Sequence, residues 1–242
     1  MKRLIFPLNI IITLGLAAVC AYVCATSGAI ESLPISLGVT FAVMLVSIPL
    51  SSALHELGHI IFGALSKISA KPKFRLFGSS CVKLKPRTDK GLKSRLIVTA
   101  LGGLYANFLC IILGIVALCV PAVPAEISGI LPFSFYLYFL NSMPLEFYGG
   151  KTDGLVICNL VTGEDEAKVM LAVLTVQAQI LNGKPVEEVD EKLLFDLPQI
   201  REEDESFIAL TELRYEYLKA KGRGEEAQKY KDRFEQLKKE YL

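Results

Sequence analysis

Ser52-Ala-Leu-His-Glu-Leu-Gly-His-Ile-Ile-Phe62 contains both histidines of the 242-residue chain, His55 and His59. The two histidines are four residues apart, and Glu56 directly follows the first. Positions i and i+4 lie on one face of a helix, so both imidazoles can reach the same metal ion. The H-E-x-x-H pattern therefore predicts a metal site with two His ligands and with Glu56 as the general base.

The motif lies in an apolar segment. Between Ser32 and Leu65, Glu56 is the only Asp, Glu, Lys or Arg. A titratable group at membrane depth is costly, which favours a functional role. The alternative is a polar His pair in an ordinary helix, but no structural role obviously requires His, Glu and His in an apolar span. We therefore interpret the motif as an intramembrane metal site.

The composition agrees with a membrane protein. The chain is 52% hydrophobic and its mean hydropathy is +0.44, which is too apolar for an ordinary soluble domain. The charges are segregated: residues 67–95 contain ten of the 26 Lys and Arg and one acidic residue. Residues 151–242 contain twenty acidic and fourteen basic residues. No Cys-x-x-Cys pair is present, so neither a disulfide framework nor a Cys-based zinc site is indicated.

These patterns predict a mostly α-helical, polytopic membrane protein with about four transmembrane helices and a cytoplasmic α-helical C-terminal domain. In residues 1–150, the membrane core, the expected spans are 4–30, 33–65 (with H-E-x-x-H), 96–120 and a broken span over 127–145. The first segment could also be a signal peptide, but its length favours a retained helix. Residues 151–242 comprise an Asp-Gly segment and a soluble helical tail, for which we expect a protein partner.

The connector 67–95 is expected to contain a short β-hairpin. Residues 73–77 and 81–85 alternate polar and apolar side chains on either side of Gly78-Ser-Ser80. The hairpin could bind an extended peptide as an added strand, or it could be a simple interfacial loop.

The basic N-terminus and the basic connector predict that both termini of this multi-pass protein are cytoplasmic in the cell membrane. Ser66 is seven positions after His59, which is about 10 Å of helix. The metal would therefore lie within the bilayer, nearer its cytoplasmic face. The lipid bilayer is an expected partner, and nucleic acid is not.

The residues leave the third metal ligand open. A catalytic zinc site usually has three protein ligands and a water molecule, and no third histidine is present. The third ligand must then be a carboxylate or a cysteine. The candidates near the membrane are Glu31, Glu126, Glu146, Asp153 and five of the cysteines.

Three segments resemble one family. His55-Glu-Leu-Gly-His59 resembles the first signature of the site-2 proteases, which are intramembrane zinc metalloproteases. Asn141-Ser-Met-Pro144 followed by Asp153-Gly154 resembles their second signature, and Leu101-Gly-Gly-Leu-Tyr-Ala-Asn107 is similar to their segment of small residues with an Asn. The resemblance covers residues 33–157, about half of the chain, and indicates a short form without a PDZ-like insert.

The resemblance implies a three-helix catalytic core that cleaves membrane-anchored, single-span proteins or peptides, as in regulated intramembrane proteolysis. It implies Zn²⁺ as the cofactor, with His55, His59 and Asp153 as ligands and Glu56 as the base. Asn141 and Asn107 would contact the substrate or the developing oxyanion.

One departure from the family concerns the third ligand. Eight residues, Leu145–Thr152, separate Pro144 from Asp153, where the family commonly has about four. A longer loop costs little, so it can still deliver Asp153, with Glu146 as the reserve ligand. The alternative function is a catalytically silent membrane adaptor of the same fold that acts through its helical tail.

Overall fold

A computed structural model describes residues 2–27, 32–73, 81–147 and 150–241, and this part of the chain is mostly helical. The α-helices are α1 (Lys2–Thr26), α2 (Leu33–Leu65), α3 (Leu92–Cys119), α4 (Leu131–Ser142), α5 (Asp153–Thr162), α6 (Asp165–Leu181), α7 (Lys192–Phe195), α8 (Glu205–Ala220) and α9 (Gly224–Tyr241). Two 3-10 helices cover Ala125–Ile130 and Val186–Glu188. Strands β1 (Ile68–Lys73) and β2 (Cys81–Pro86) form one antiparallel sheet, and β3 (Glu146–Phe147) and β4 (Gly150–Lys151) form another.

Three helices of the described chain, α1, α2 and α3, are long and apolar enough to cross a membrane. The fourth apolar stretch, expected as a broken span over 127–145, is divided into two elements. It comprises the 3-10 helix Ala125–Ile130 and the 12-residue helix α4, with Pro132 in its first turn. Neither element alone is as long as the hydrocarbon core is thick, about 30 Å, since α4 extends about 18 Å and the 3-10 helix about 12 Å. The expected count of four spans is therefore not confirmed.

Several element bounds differ from the expected ones. Helix α1 ends at Thr26 rather than at 30, and α3 begins at Leu92 rather than at 96. Strand β1 begins at Ile68, before the strand expected over 73–77, and residues 74–80 lie outside the described chain. Lys67 has a φ of 58°, so the chain turns from the end of α2 directly into β1.

Helices α2 and α3 approach closely through two glycines. A Cβ atom on Gly58 would lie 2.2 Å from the carbonyl oxygen of Gly102, and one on Gly102 would lie 2.5 Å from that of Gly58. Small residues allow such contacts between helices in lipid. Because Gly58 lies within the H-E-x-x-H segment, this helix crossing brings the motif into contact with α3.

The C-terminal helices pack against α3 and β1. One apolar cluster joins residues of β1, α3, α5 and α6, namely Ile68, Leu92, Leu96, Leu160, Ala167 and Leu174. A second and larger cluster lies mainly among α6, α8 and α9. Helix α6 contributes to both clusters and therefore connects the helical tail to the long apolar helix α3.

Candidate metal centre

The two histidines of the motif face each other from α2. The Nε2 atoms of His55 and His59 are 3.2 Å apart, and both residues are buried. Successive turns of one helix account for this geometry, since residues four apart lie on the same face. Two ring nitrogens thus point at a common position.

A carboxylate reaches the same position from α5. Asp153 is the first residue of that helix, and its Oδ2 lies 3.2 Å from His55 Nε2 while its Oδ1 lies 3.4 Å from His59 Nε2. One ligand atom from each of the three residues lies within 4.8 Å of the others. His55, His59 and Asp153 could therefore hold a metal ion.

The separations of the ligand atoms fit a small divalent cation. With metal–ligand bonds of about 2.0–2.1 Å, neighbouring ligands of a tetrahedral site are about 3.3 Å apart. His55 Nε2 and His59 Nε2 are 3.2 Å apart, and each faces its own oxygen of Asp153, Oδ2 at 3.2 Å from His55 and Oδ1 at 3.4 Å from His59. Asp153 Oδ2 is also buried with no hydrogen-bond donor among the described residues, which is costly unless a cation compensates its charge.

The distal ring nitrogen of His59 is bound to the backbone. Its Nδ1 is 2.9 Å from the carbonyl oxygen of Thr99 in α3, which can only accept a hydrogen bond. The proton of His59 is therefore on Nδ1, and the lone pair of Nε2 points at the metal position. Such a partner fixes both the tautomer and the ring orientation of a metal ligand.

Asn107 is the corresponding partner of His55. Its Nδ2 is 3.1 Å from His55 Nδ1, while its Oδ1 is buried with no partner among the described residues. In the opposite orientation of the amide, Oδ1 accepts the Nδ1 proton of His55 and Nδ2 takes the position without a partner. Asn107 thus contacts a candidate metal ligand, and its expected role toward the substrate stays a prediction.

Glu56, which lies between the two histidines in the sequence of α2, is buried. Its Oε2 has no hydrogen-bond partner among the described residues. A carboxylate oxygen without a partner can accept a proton without first breaking another hydrogen bond. The position of Glu56 is therefore compatible with the general-base role expected from the motif.

A glycine that the sequence interpretation did not single out closes the α3 side of the centre. A Cβ atom on Gly103 would lie 2.5 Å from His59 Nε2 and 2.7 Å from His55 Cε1. Any side chain there would occupy the space where the ring nitrogens converge. The Gly102-Gly103 pair, one turn before Asn107, was the available signal in the sequence.

The loop before Asp153 is compact despite its length. Strands β3 and β4 fold back on each other, and the backbone amide of Thr152 donates to the carbonyl of Leu145 at 3.1 Å. The Thr152 hydroxyl also donates to the carbonyl of Met143 and accepts from the amide of Leu155 as the N-cap of α5. The additional residues thus form a hairpin whose ends meet, and Asp153 is not displaced.

The reserve ligand Glu146 has another partner. Its carboxylate accepts a hydrogen bond from Arg201 at 2.7 Å, and Glu146 is not part of the metal group. Asn141 donates to the carbonyl of Leu137, one turn earlier in α4, and its expected role toward the substrate stays a prediction. The structure therefore brings Asp153 rather than Glu146 to the histidines.

Comparisons of the chain with protein-family models, with curated proteins and with solved structures found no match. The functional interpretation consequently depends on the residues of this centre and on their geometry.

Proposed function

We propose that the protein is an intramembrane zinc metalloprotease, a zinc metalloendopeptidase that hydrolyses peptide bonds of membrane-anchored substrates. The convergence of His55, His59 and Asp153 beside the buried Glu56, on a helix apolar enough to span a membrane, carries this proposal. Two imidazoles and one carboxylate are a frequent donor set for zinc. Three protein ligands leave one coordination position open, as in catalytic rather than structural zinc sites.

The residues of the chain have distinct roles in this proposal. When bound, zinc supplies Lewis acidity, which makes water more acidic and polarises a peptide carbonyl. Glu56 accepts the proton of the attacking water and later passes it to the leaving amine. Thr99 and Asn107 hold the imidazoles in the tautomer that leaves Nε2 free.

The membrane setting defines the class of substrate. The centre lies on the later half of α2, about 10 Å from its end. A single-span protein or peptide would reach it from the bilayer and would have to unwind locally, because the carbonyls of a helix are bonded within the helix. Cleavage near the cytoplasmic face, in a multi-pass protein with both termini in the cytoplasm, follows from the charge distribution.

The test uses the full-length protein purified in detergent, with zinc content per chain and cleavage of single-span substrates as readouts. We expect Glu56→Gln to retain zinc and to lower the rate of cleavage by about 10²–10⁴-fold, the usual contribution of a general base. Glu225→Gln, an exposed position on α9, is the matched control and should cleave normally.

Bound zinc without cleavage that depends on Glu56 would overturn the proposed function. That result would favour the catalytically silent adaptor, which acts through its helical tail. The adaptor also predicts that a catalytic group is missing, whereas His55, Glu56, His59 and Asp153 are all present.

A further inference from the structure

The segment that carries the third ligand is ion-paired to the C-terminal helices. Lys151 lies two residues before Asp153, and its Nζ is 2.7 Å from Glu166 Oε2 on α6. The same ammonium also contacts Asp204, the N-cap residue of α8, whose Oδ1 accepts from the amide of Ser206. One lysine next to the metal centre therefore joins two elements of the tail.

The opposite strand of the small hairpin is bound to the same network. Glu146 on β3 pairs in register with Lys151 on β4. Arg201 donates to Glu146 at 2.7 Å and to Glu166 at 3.0 Å. Both strands of the hairpin are thus ion-paired to the C-terminal region. Lys151 on β4 contacts Glu166 and Asp204, and Glu146 on β3 contacts Arg201.

Burial makes the lysine pairs stronger than ordinary surface ion pairs. The Asp204 side chain is 6% exposed and that of Lys151 is 22% exposed. Partly buried pairs are little screened by salt, and removing one partner leaves an uncompensated charge. By contrast, the Lys168–Asp165 pair on α6 has both side chains 56% exposed and includes none of the three candidate metal ligands, which makes it a matched control.

We propose that the C-terminal helices position the third metal ligand: Glu166 and Asp204 hold Lys151, and Lys151 fixes the start of α5, where Asp153 projects toward the histidines. Only Thr152 separates the lysine from the ligand, so a shift of Lys151 displaces the Asp153 carboxylate. Lys151 is then a positioning residue, and the tail controls metal affinity. The inference depends on the metal centre of the proposed function and not on proteolysis.

The test measures zinc affinity of the full-length protein by competition with a chelating dye. We expect Lys151→Met to weaken zinc binding by about tenfold or more, as outer partners of metal ligands commonly do. Asp204→Asn should do the same, because Asn still caps α8 but no longer balances the lysine charge. Lys151→Arg should retain most of the affinity, and Lys168→Met should bind as the wild type does.

The double variant Lys151→Met/Asp204→Asn distinguishes positioning from general destabilisation. If both residues act through one contact, the loss of affinity in the double variant should be close to that of Lys151→Met alone. Unchanged zinc affinity in both single variants, together with lower thermal stability, would overturn the proposal and leave proteolysis untouched. Weakened zinc binding in a protein that cleaves no substrate would instead overturn the proposed function and support the positioning role.

Discussion

The long apolar helices α2 and α3 form one helix pair and the tail helices α8 and α9 form another, but the two pairs pack differently. Helices α2 and α3 approach through Gly58 and Gly102, while large apolar side chains such as Leu113 point outward, 45% exposed. Helices α8 and α9 bury large apolar side chains, among them Leu210 and Leu237.

We interpret the difference as one of solvent, because α2 and α3 are apolar enough to cross a membrane. In lipid an outward-facing Leu loses nothing, so helices associate through close backbone contact and polar bonds. In water, which we expect around the tail, burying apolar area is the main driving force. The α2–α3 pair should therefore be most sensitive to added atoms, and the tail to removed ones.

The largest expected effect is that of a single methyl group at the metal centre. Gly103→Ala places a Cβ 2.5 Å from His59 Nε2, so the imidazole has to move. We expect zinc affinity to fall at least about a hundredfold, with loss of cleavage. The matched control is Gly38→Ala on α2, where a Cβ would meet nothing within 4 Å. Equal zinc binding by both variants would contradict the geometry of the centre.

In the tail, removed atoms should have the larger effect. Leu210→Ala empties a position that is 1% exposed, which should lower the free energy of local unfolding by about 2–5 kcal/mol. Leu113→Ala, on the outer surface of α3, should change the stability of its helix by less than about 0.5 kcal/mol. Amide hydrogen exchange in α8 and α3 measures both changes. Similar losses at the two positions would contradict a lipid-facing Leu113.

An intermediate effect is expected at Asn107, a buried polar residue of the membrane region. Asn107→Ala removes the partner of His55 Nδ1 and should weaken zinc binding by about 10–100-fold. Asn107→Asp retains an acceptor for that proton and should bind zinc better than the Ala variant. An Asp variant that is folded but no better than Ala would show that the amide donates to His55 instead of accepting. Asn182→Ala in the tail serves as the control.

The smallest effect concerns acid stability of the tail. Burial raises the pKa of Asp204, but the hydrogen bond and charge of Lys151 and the amide of Ser206 lower it further, so its pKa is below the usual value. The folded state is therefore stabilised above the unfolded pKa of about 4, and this contribution is lost as the pH falls through the folded pKa. Between pH 7 and pH 3, the wild type should lose up to about 1 kcal/mol more than Asp204→Asn, which is close to the limit that an unfolded pKa of about 4 sets. Thermal unfolding at both pH values tests this, and parallel losses in the two proteins would contradict it.

The local features of the molecule were readable from the sequence. The 33 residues of α2 coincide with the apolar segment from 33 to 65, and the helical spacing alone placed His55 and His59 on one face. The second strand of the hairpin, expected over 81–85, is confirmed by β2, whereas most of the first expected strand lies outside the described residues. The fourth span stays a prediction. The turn at Lys67, which starts β1 directly after α2, is not recorded in the apolar pattern.

The sequence by itself determined an apolar helix with both histidines on one face, because composition and a spacing of four residues are properties of a single segment. Only the tertiary structure decided between Asp153 and Glu146, revealed Gly103 beside the imidazoles, and brought Lys151 to the tail. These contacts join elements far apart in the chain. They depend on how closely the helices pack and on where each loop ends, which no local pattern specifies.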